Sequence, residues 1–254
     1  MTRKCFLIDH LDPGAEWVSL TEDVAHHVRN VLRLRPGDNI ELRDGRGNGW
    51  TAVIRETKGR EVRVAVGEKL AARNESPLQL TLALAFSRFD RMELALRQAT
   101  EMGVHGFIAF RADRSGYTLP GPQMEKRKER WRKIAREALC QCGRTILPEI
   151  LILSDTAELI SNITTGEIAE GDCLRILARE ETDRSGLLSL FDEHPVCRQM
   201  LAVVGPEGGW SQHEGGQFME AGFCPVHLGP RTLRLETATA ALLAAVQLLW
   251  GDLA

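Results

Sequence analysis

The sequence has no apolar run of about 18 residues, the length that a membrane-spanning helix needs. The charges in its first residues are followed by no long apolar stretch, so we expect no signal peptide and no membrane partner. Hydrophobic residues make up 43% and charged residues 26% of the 254 residues, which excludes disordered and fibrous proteins. At ~150 residues per domain, this length predicts one large domain or two modest ones.

Motifs for metal binding and nucleophilic catalysis are also missing. The six cysteines form no Cys-x-x-Cys pair, and the seven histidines show no His-x-x-x-His spacing. We therefore expect no metal site and no disulfide framework, and the reduced thiols fit a cytoplasmic location. The chain also lacks a Gly-x-Ser-x-Gly nucleophile elbow, a Walker A loop and a Gly-x-Gly-x-x-Gly dinucleotide motif.

The net charge of −3 argues at first against a nucleic-acid partner, but this charge is unevenly distributed. Residues 73–150 carry a net charge of +5, residues 151–254 carry −9 and residues 1–72 carry +1. Residues 126–136 alone hold seven basic side chains on a predicted helix. Such a run is either a solvated helix face or a surface that contacts RNA phosphates, and charge by itself leaves both open.

Residues 1–72 have the pattern of a small β-barrel. An Asp-Gly pair at residues 44–45 lies between two β-prone runs and predicts a hairpin. Residues 61–67 alternate between apolar and polar side chains, as a half-buried strand does. Residues 71–77 lack periodicity, so we place a linker there and expect a second domain at residues 73–254.

In the second domain, predicted strands alternate with predicted helices, which is typical of an α/β fold with parallel strands. The strands are short apolar runs at residues 78–86, 107–110, 173–178, 199–204 and 225–228. The helices have apolar residues at helical spacing and cover residues 91–102, 124–142, 214–221 and 237–250. The last helix is apolar nearly all round, so we expect it to be buried in the domain or in a subunit interface.

Two loops that contain glycine and proline each follow a predicted strand. Residues 205–211 hold three glycines and one proline, and residues 228–238 begin with Leu-Gly-Pro and lead into a predicted helix. Glycine lets backbone groups approach a ligand, and α/β proteins bind small molecules at the carboxyl ends of their strands. Either loop alone could be only a tight turn, but the two together favour a shared binding pocket.

Several motifs together resemble those of one known family. They are the segments 27–38, 44–45, 90–93, 100–104, 114–115, 130–131, 137–144, 205–209 and 228–238. In this order and spacing they resemble the small-subunit ribosomal RNA (uracil-N3) methyltransferases, the RsmE family of the SPOUT superfamily. The resemblance implies an α/β fold with two parts: a PUA-like, RNA-binding β-barrel at residues 1–72 and a SPOUT-type methyltransferase domain with a trefoil knot at residues 73–254. It also implies a homodimer.

The resemblance further implies a donor and a substrate, and we hypothesise roles for individual residues. The donor would be S-adenosylmethionine, and the substrate would be N3 of one uridine in 16S (small-subunit) rRNA, either as RNA or in the assembled 30S subunit. Arg234 would stabilise negative charge on the uracil oxygens, and Glu236 would hold Arg234 or backbone donors. The residues expected to bind the donor are Leu177, Glu180, Val204, Gly205, Pro206, Glu207, Gly208, Gly209, Leu228, Gly229, Leu233 and Thr237. The residues expected to contact RNA are Arg3, Arg33, Arg114 and Arg144.

Two alternative functions remain open from the sequence. One is another SPOUT methyltransferase activity, directed at tRNA or at a ribose 2′-hydroxyl. The other is a non-enzymatic RNA-binding protein of ribosome assembly, in which the glycine loops are structural. Binding of the donor distinguishes an enzyme from the non-enzymatic RNA-binding protein. The identity of the methylated nucleoside distinguishes uracil-N3 methylation from another SPOUT activity. No residue is identified as the general base.

Overall fold

The computed structural model describes residues 4–9, 11, 14–71, 74–168, 171–179 and 186–253. The chain divides into two compact units. The first unit consists of Met1–Glu75 and Arg136–Leu147, and the second consists of Ser76–Ala135 and Pro148–Ala254. Residues 136–147 therefore pack with the first unit although they are distant from it in sequence, a feature that a single boundary between residues 72 and 73 does not anticipate.

The first unit is built on a five-stranded sheet. Its strands are β1 (Cys5–Leu7), β2 (Trp17–Ser19), β3 (Asn39–Arg43), β4 (Gly49–Lys58) and β5 (Glu61–Leu70). They lie in the order β1-β3-β4-β5-β2, with β1 parallel to β3 and the other pairs antiparallel. The helix α1 (Glu22–His26) continues into a π-helical turn at His27–Val31. The hairpin predicted at residues 44–45 is confirmed, because it joins β3 to β4.

One face of this sheet forms the core of the first unit. Side chains at alternate positions of β3, β4 and β5 are buried together, which is the period of two expected of strands. These residues are Ile40, Leu42, Ala52, Ile54, Val62 and Val64. The turn between β3 and β4 is stabilised locally by Asp44, whose Oδ1 accepts the backbone N–H groups of Arg46 at 2.8 Å and Asn48 at 3.0 Å.

The second unit is built on a six-stranded sheet in which every pair of neighbouring strands is parallel. Its strands are β6 (Gln79–Ala85), β7 (Gly106–Phe110), β8 (Glu149–Ile152), β9 (Leu174–Ala178), β10 (Gln199–Val204) and β11 (Cys224–Val226). The strand order is β11-β9-β10-β6-β7-β8. The predicted α/β fold is therefore confirmed. Consecutive residues of the central strands β6, β7 and β10 are buried, so both faces of these strands are covered, as parallel strands usually are.

Helices connect the strands of the second unit. They are α2 (Phe89–Glu101), α3 (Gly121–Cys142), α4 (Thr156–Thr164), α5 (Leu187–Glu193), α6 (Gln212–Glu220) and α7 (Leu235–Trp250). Four of them overlap the predicted helices, whereas α4, α5 and strand β8 were not predicted. Among the residues that the structure describes, no helix is long and apolar enough to cross a membrane.

The sheet order determines where the functional loops meet. Strand β9 lies between β10 and β11, and all three strands run in the same direction. Their carboxyl ends therefore open on one edge of the sheet, which is where open α/β sheets bind ligands. The two glycine loops follow β10 and β11, and residue 179 follows β9 at the same edge.

Candidate functional site

The loop after β10 is held in place by the contact between Gly205 and Trp210. A Cβ atom on Gly205 would lie 2.8 Å from Cε2 of the indole, so only glycine leaves room for this ring. The indole Nε1 donates a hydrogen bond to the carbonyl of Ala178 at 3.0 Å, which ties the loop to the end of β9. The ring also stacks on Phe110 and meets Phe218 edge-on, with centroids 4.9 Å apart for the latter pair.

The same loop turns back on itself at Gly209. This residue has a φ of +68°, a left-handed conformation that favours glycine, and its N–H donates to the carbonyl of Pro206 at 2.9 Å. The neighbouring Gly208 lies against Arg114, whose Nη1 donates to the Gly208 carbonyl at 3.2 Å. A Cβ atom on Gly208 would lie 3.1 Å from Cβ of Arg114, so this contact also depends on glycine.

An ion pair joins this loop to helix α2. The carboxylate of Glu207 pairs with Arg91, and it also accepts a hydrogen bond from Oγ of Ser87 at 3.2 Å. Nε of Arg91 lies 4.0 Å from Oε2 of Glu236 in the first turn of α7. This Glu236 oxygen is buried and has no hydrogen-bond partner among the described residues. Arg91 therefore lies between two carboxylates, Glu207 of the first glycine loop and Glu236 in the first turn of α7.

The second loop leads directly into helix α7. Gly229 has a φ of +96°, and its N–H donates to Nδ1 of His227 at 3.2 Å. Arg234 is the N-cap residue of α7, with an extended backbone whose carbonyl accepts the N–H of Ala238 at 2.8 Å. The Arg234 side chain makes no capping hydrogen bond, so its guanidinium is not used to start the helix.

Both loops border one pocket of about 510 Å³, a volume typical of small-molecule sites. The sequence predicted that these loops share a pocket, and the structure confirms this arrangement. The pocket is lined by nine residues expected to bind the donor and by Arg234. The nine residues are Val204, Gly205, Pro206, Glu207, Gly208, Gly209, Leu228, Gly229 and Leu233.

Other residues expected at the donor site are placed differently. Leu177 is fully buried in the hydrophobic core of the sheet, and its neighbours Ala178 and Arg179 line the pocket instead. The position along the strand explains this difference, because Ala178 and Arg179 lie at the carboxyl end of β9, where the pocket opens, and Leu177 lies further inside the sheet. Thr237 is exposed in the first turn of α7 and does not line the pocket. Glu180 lies outside the described residues.

The structure describes three of the four arginines that were expected to contact RNA. Arg114 lines the pocket, and Arg33 is exposed in the first unit with a φ of +52°. Arg144 is only 1% exposed, and its guanidinium pairs with the carboxylate of Glu75 at 2.9 Å. This burial contradicts the expectation that Arg144 contacts RNA, because its charge is used inside the first unit. Arg3 lies outside the described residues.

The run of basic residues on α3 is partly neutralised within the second unit. Arg127 and Arg130 both pair with Glu93 of α2, and Arg132 pairs with Glu129 one turn away. The guanidinium of Arg127 also lies 4.0 Å from the centre of the Phe89 ring. A substantial part of this charge therefore stabilises helix packing, so the run is a weaker candidate for an RNA surface than its composition indicated.

Sequence reasoning missed Glu214, which organises the first loop. Its carboxylate is 1% exposed and accepts hydrogen bonds from Thr156 Oγ1 at 2.7 Å, Asp113 N at 2.9 Å and Ser211 N at 3.1 Å. Ser211 in turn accepts the N–H of Glu214 at 3.1 Å, which completes a capping box at the start of α6. The Ser-x-x-Glu spacing at residues 211–214 is a readable signal for this box.

We expect Glu214→Ala to lower the free energy of unfolding by about 3 kcal/mol, because three donors that a buried carboxylate now satisfies would lose their partner. Chemical denaturation measures this change. Glu220→Ala is the matched control, since Glu220 is exposed at the other end of α6 and should change stability by less than about 0.5 kcal/mol. Equal effects of the two variants would contradict the role of Glu214.

Comparison with known proteins places this architecture in a family. A family model described as "RNA methyltransferase domain" matches residues 74–247, and one described as "RNA methyltransferase PUA domain" matches residues 20–69. Ribosomal RNA small subunit methyltransferase E of Bacillus subtilis is 31% identical over 242 residues, which cover 92% of each chain. The chain belongs to this RNA methyltransferase family. The protein of the same name from Mycobacterium tuberculosis is 32% identical over 98% of this chain and 93% of its own.

Solved structures from the family have the same fold. The ribosomal RNA small subunit methyltransferase E of Neisseria gonorrhoeae, crystallised with S-adenosylmethionine, is 32% identical and superposes with a TM-score of 0.87 over 99% of this chain and 100% of its own. A methyltransferase from Legionella pneumophila, also bound to S-adenosylmethionine, is 27% identical with a TM-score of 0.89 over the whole of both chains. The family therefore includes members whose structures contain this donor.

Proposed function

We propose that this protein is an S-adenosylmethionine-dependent methyltransferase that methylates N3 of one specific uridine in 16S ribosomal RNA of the small subunit. The observation that carries this proposal is the pocket into which both glycine loops open, at the carboxyl ends of β9, β10 and β11. Family membership supports the ribosomal RNA substrate, and similar structures that contain S-adenosylmethionine support the donor.

The pocket fits this donor in size and in chemistry. Gly209 and Gly229 have positive φ angles, and no atom lies within 4 Å of the position that a Cβ atom would take on either residue. The backbone at these two glycines is thus open on the side where other residues carry a side chain, and a ligand can approach it closely there. Leu228, Leu233 and Ala238 add apolar wall, so the pocket combines apolar surface with a few polar groups as cofactor sites do.

Arg234 is the residue that we assign to the chemical step. When bound, the donor supplies a methyl group that is activated by its positively charged sulfur. A neutral uracil N3–H is a poor nucleophile, so N3 must release its proton to solvent as the new N–C bond forms, and negative charge spreads onto the uracil oxygens. The methyl–sulfur bond would break at the same time and leave its electron pair on sulfur. Arg234 lines the pocket and carries a permanent positive charge, which stabilises these oxygens without giving up a proton.

Glu236 acts as a positioning residue in this proposal. It pairs with Arg91 at 4.0 Å, and Arg91 also holds Glu207 of the first loop. The three side chains therefore link the loop after β10 to the start of α7. Because Arg234 is the N-cap residue of α7, this link also fixes its distance from the backbone that we assign to donor binding.

The proposed substrate is the 16S rRNA itself or the assembled 30S subunit. Arg33 and Arg114 are exposed and remain our candidates for phosphate contacts. The match of residues 20–69 to the PUA-domain model supports a role for the first unit in binding RNA, and Arg33 lies within this match. A substrate of this kind places the enzyme in the cytoplasm, where ribosomal subunits are assembled.

We also propose that the protein is a homodimer that uses helices α2 and α7. These helices pack against each other, yet Leu94 of α2 remains 39% exposed and Leu248 of α7 remains 56% exposed. A second copy would bury this apolar surface.

Leu248→Glu is expected to shift the dimer to a monomer in sedimentation velocity, whereas Val31→Glu, an exposed position of the first unit, should leave the dimer intact. A monomeric unmodified protein at micromolar concentration would exclude the dimer.

The finer features of the fold are part of the proposal as well. We propose that the sheet of the first unit closes into a PUA-like barrel and that the second unit contains a trefoil knot at the two glycine loops. The PUA-domain match and the TM-scores to family members support these features. A crystal structure with traceable density through both loops tests them directly.

Methyl transfer from tritium-labelled donor to purified small subunits tests the proposed function. Digestion of the labelled RNA is expected to release one radioactive nucleoside, 3-methyluridine. Label in a 2′-O-methylated nucleoside, or in tRNA only, would indicate another activity of the superfamily. Absence of heat on calorimetric titration with S-adenosylmethionine would indicate an RNA-binding protein without enzymatic activity.

A further inference from the structure

The pocket wall carries an excess of positive charge. Five arginines line it, but Glu207 is the one carboxylate among its described lining residues. Glu207 is already paired with Arg91. Three of the remaining arginines, Arg179, Arg231 and Arg234, have no side-chain hydrogen bond or ion pair with any residue that the structure describes. Among the described residues, no carboxylate pairs with any of these three guanidinium groups.

This excess is not a result of local composition. Residues 151–254 contain six basic and fifteen acidic residues, a net charge of −9. Three of those six basic residues, Arg179, Arg231 and Arg234, line this one pocket. In a segment so rich in carboxylates, three guanidinium groups at one place without an ion pair to any described residue indicate that the place binds an anion.

The methyl donor by itself does not account for these charges. At neutral pH it has one carboxylate, but it also carries a positive sulfur and a positive ammonium group, so its net charge is positive. Several guanidinium groups without a described partner are not explained by binding of such a cation, whereas a second, anionic ligand would account for them. The phosphodiester backbone of RNA has this property, because each nucleotide contributes one negative charge.

Two of the arginines reach the pocket from different strand ends, and Arg179 lies outside the two loops that we assign to the donor. Arg179 directly follows β9, where its backbone N–H donates to the carbonyl of Val226 at 2.9 Å. Its guanidinium passes close to Gly215 of α6, 3.7 Å from the position that a Cβ atom would take there. Arg231 is exposed in the loop after β11. The two side chains thus approach the pocket from the ends of different strands.

We propose that Arg179 and Arg231 bind backbone phosphates next to the target uridine, so that the base enters the pocket while its phosphates stay at the edge. This inference rests on the proposed function for the identity of the RNA. It assigns a binding role to two residues and separates them from Arg234, which acts on the base. Phosphate contacts of this kind position a nucleotide without reading its sequence.

Salt-dependent RNA binding tests this assignment independently of methyl transfer. The probe is a fluorescently labelled transcript of 16S rRNA, and the dissociation constant is measured by anisotropy at several KCl concentrations. Arg179→Ala and Arg231→Ala are each expected to weaken binding about tenfold and to reduce the slope of log K against log [salt] by about 0.7–0.9. Arg179→Lys and Arg231→Lys retain the charge and should recover most of the affinity. Arg198→Ala is the matched control, because Arg198 is exposed in the same acidic segment but does not line the pocket.

Calorimetry with S-adenosylmethionine supplies the second arm of the test. Donor affinity should stay within about twofold in both alanine variants, since a phosphate contact is absent from the donor complex. An unchanged RNA affinity and salt slope would overturn the assignment. A weaker donor affinity with unchanged RNA binding would also overturn it, because the guanidinium groups would then bind the donor carboxylate. If the unmodified protein binds RNA as expected but transfers no methyl group, the proposed function fails while the phosphate contacts stand.

Discussion

Replacing Gly205 by alanine is expected to weaken S-adenosylmethionine binding by roughly 10- to 100-fold, because the new methyl group would displace Trp210. The added Cβ atom would lie 2.8 Å from Cε2 and 3.0 Å from Nε1 of the indole. This ring cannot simply rotate away, since it is enclosed by Phe110 and Phe218 and hydrogen-bonded to the carbonyl of Ala178. Isothermal titration calorimetry measures the change in affinity.

A second glycine of the same region provides the control for this substitution. Gly216 lies within helix α6, and a Cβ atom on it would meet no other atom within 4 Å. Gly216→Ala should therefore leave donor affinity unchanged and raise the free energy of unfolding by up to about 1 kcal/mol, since alanine favours helices over glycine. If Gly205→Ala binds the donor as well as Gly216→Ala does, the Trp210 contact does not shape the site.

The second large effect is expected for Arg234→Ala, which should reduce turnover at saturating donor and RNA by roughly 100- to 1000-fold, the usual cost of removing one group that stabilises a developing oxyanion. The helix should be preserved, because Arg234 caps α7 through its backbone and not through its side chain. Single-turnover methyl transfer measures the rate of the chemical step separately from RNA binding.

The kinetic pattern distinguishes Arg234 from the other arginines of the pocket. Arg234→Ala should lower kcat, whereas Arg179→Ala and Arg231→Ala should raise KM for RNA and leave kcat within about threefold. Arg234→Lys keeps the charge but loses the planar guanidinium, so we expect partial recovery of turnover. Unchanged turnover in Arg234→Ala would remove this residue from the chemical step.

Much of the local structure could be predicted because its causes lie close together in sequence. The Asp-Gly pair at residues 44–45 forms the predicted hairpin, and the apolar runs of the second domain became parallel strands. The glycines at 209 and 229 have the positive φ angles that a ligand-binding turn requires. Their positions after β10 and β11 were sufficient to predict a common pocket, since the carboxyl ends of parallel strands share one edge.

Predictions for single side chains were less accurate where a distant partner decides their direction. Arg144 was expected to contact RNA, but Glu75, 69 residues earlier, binds its guanidinium and buries it. Leu177 was expected at the donor site, but it lies inside the sheet, where side chains from other elements bury it in the core. Glu214 went unnoticed because its partners Asp113 and Thr156 are 101 and 58 residues away.

The sequence by itself determined the family, the α/β pattern and the two loops that form the pocket, because turns, caps and apolar periodicity depend on neighbouring residues. Only the tertiary structure decided which charges remain available for a ligand. Arg127, Arg130 and Arg144 are neutralised by carboxylates that are distant in sequence, whereas Arg179 and Arg231 line the pocket without an ion pair to any described residue. The physical reason is that an ion pair forms between side chains that folding brings together, and sequence distance does not reveal such pairs.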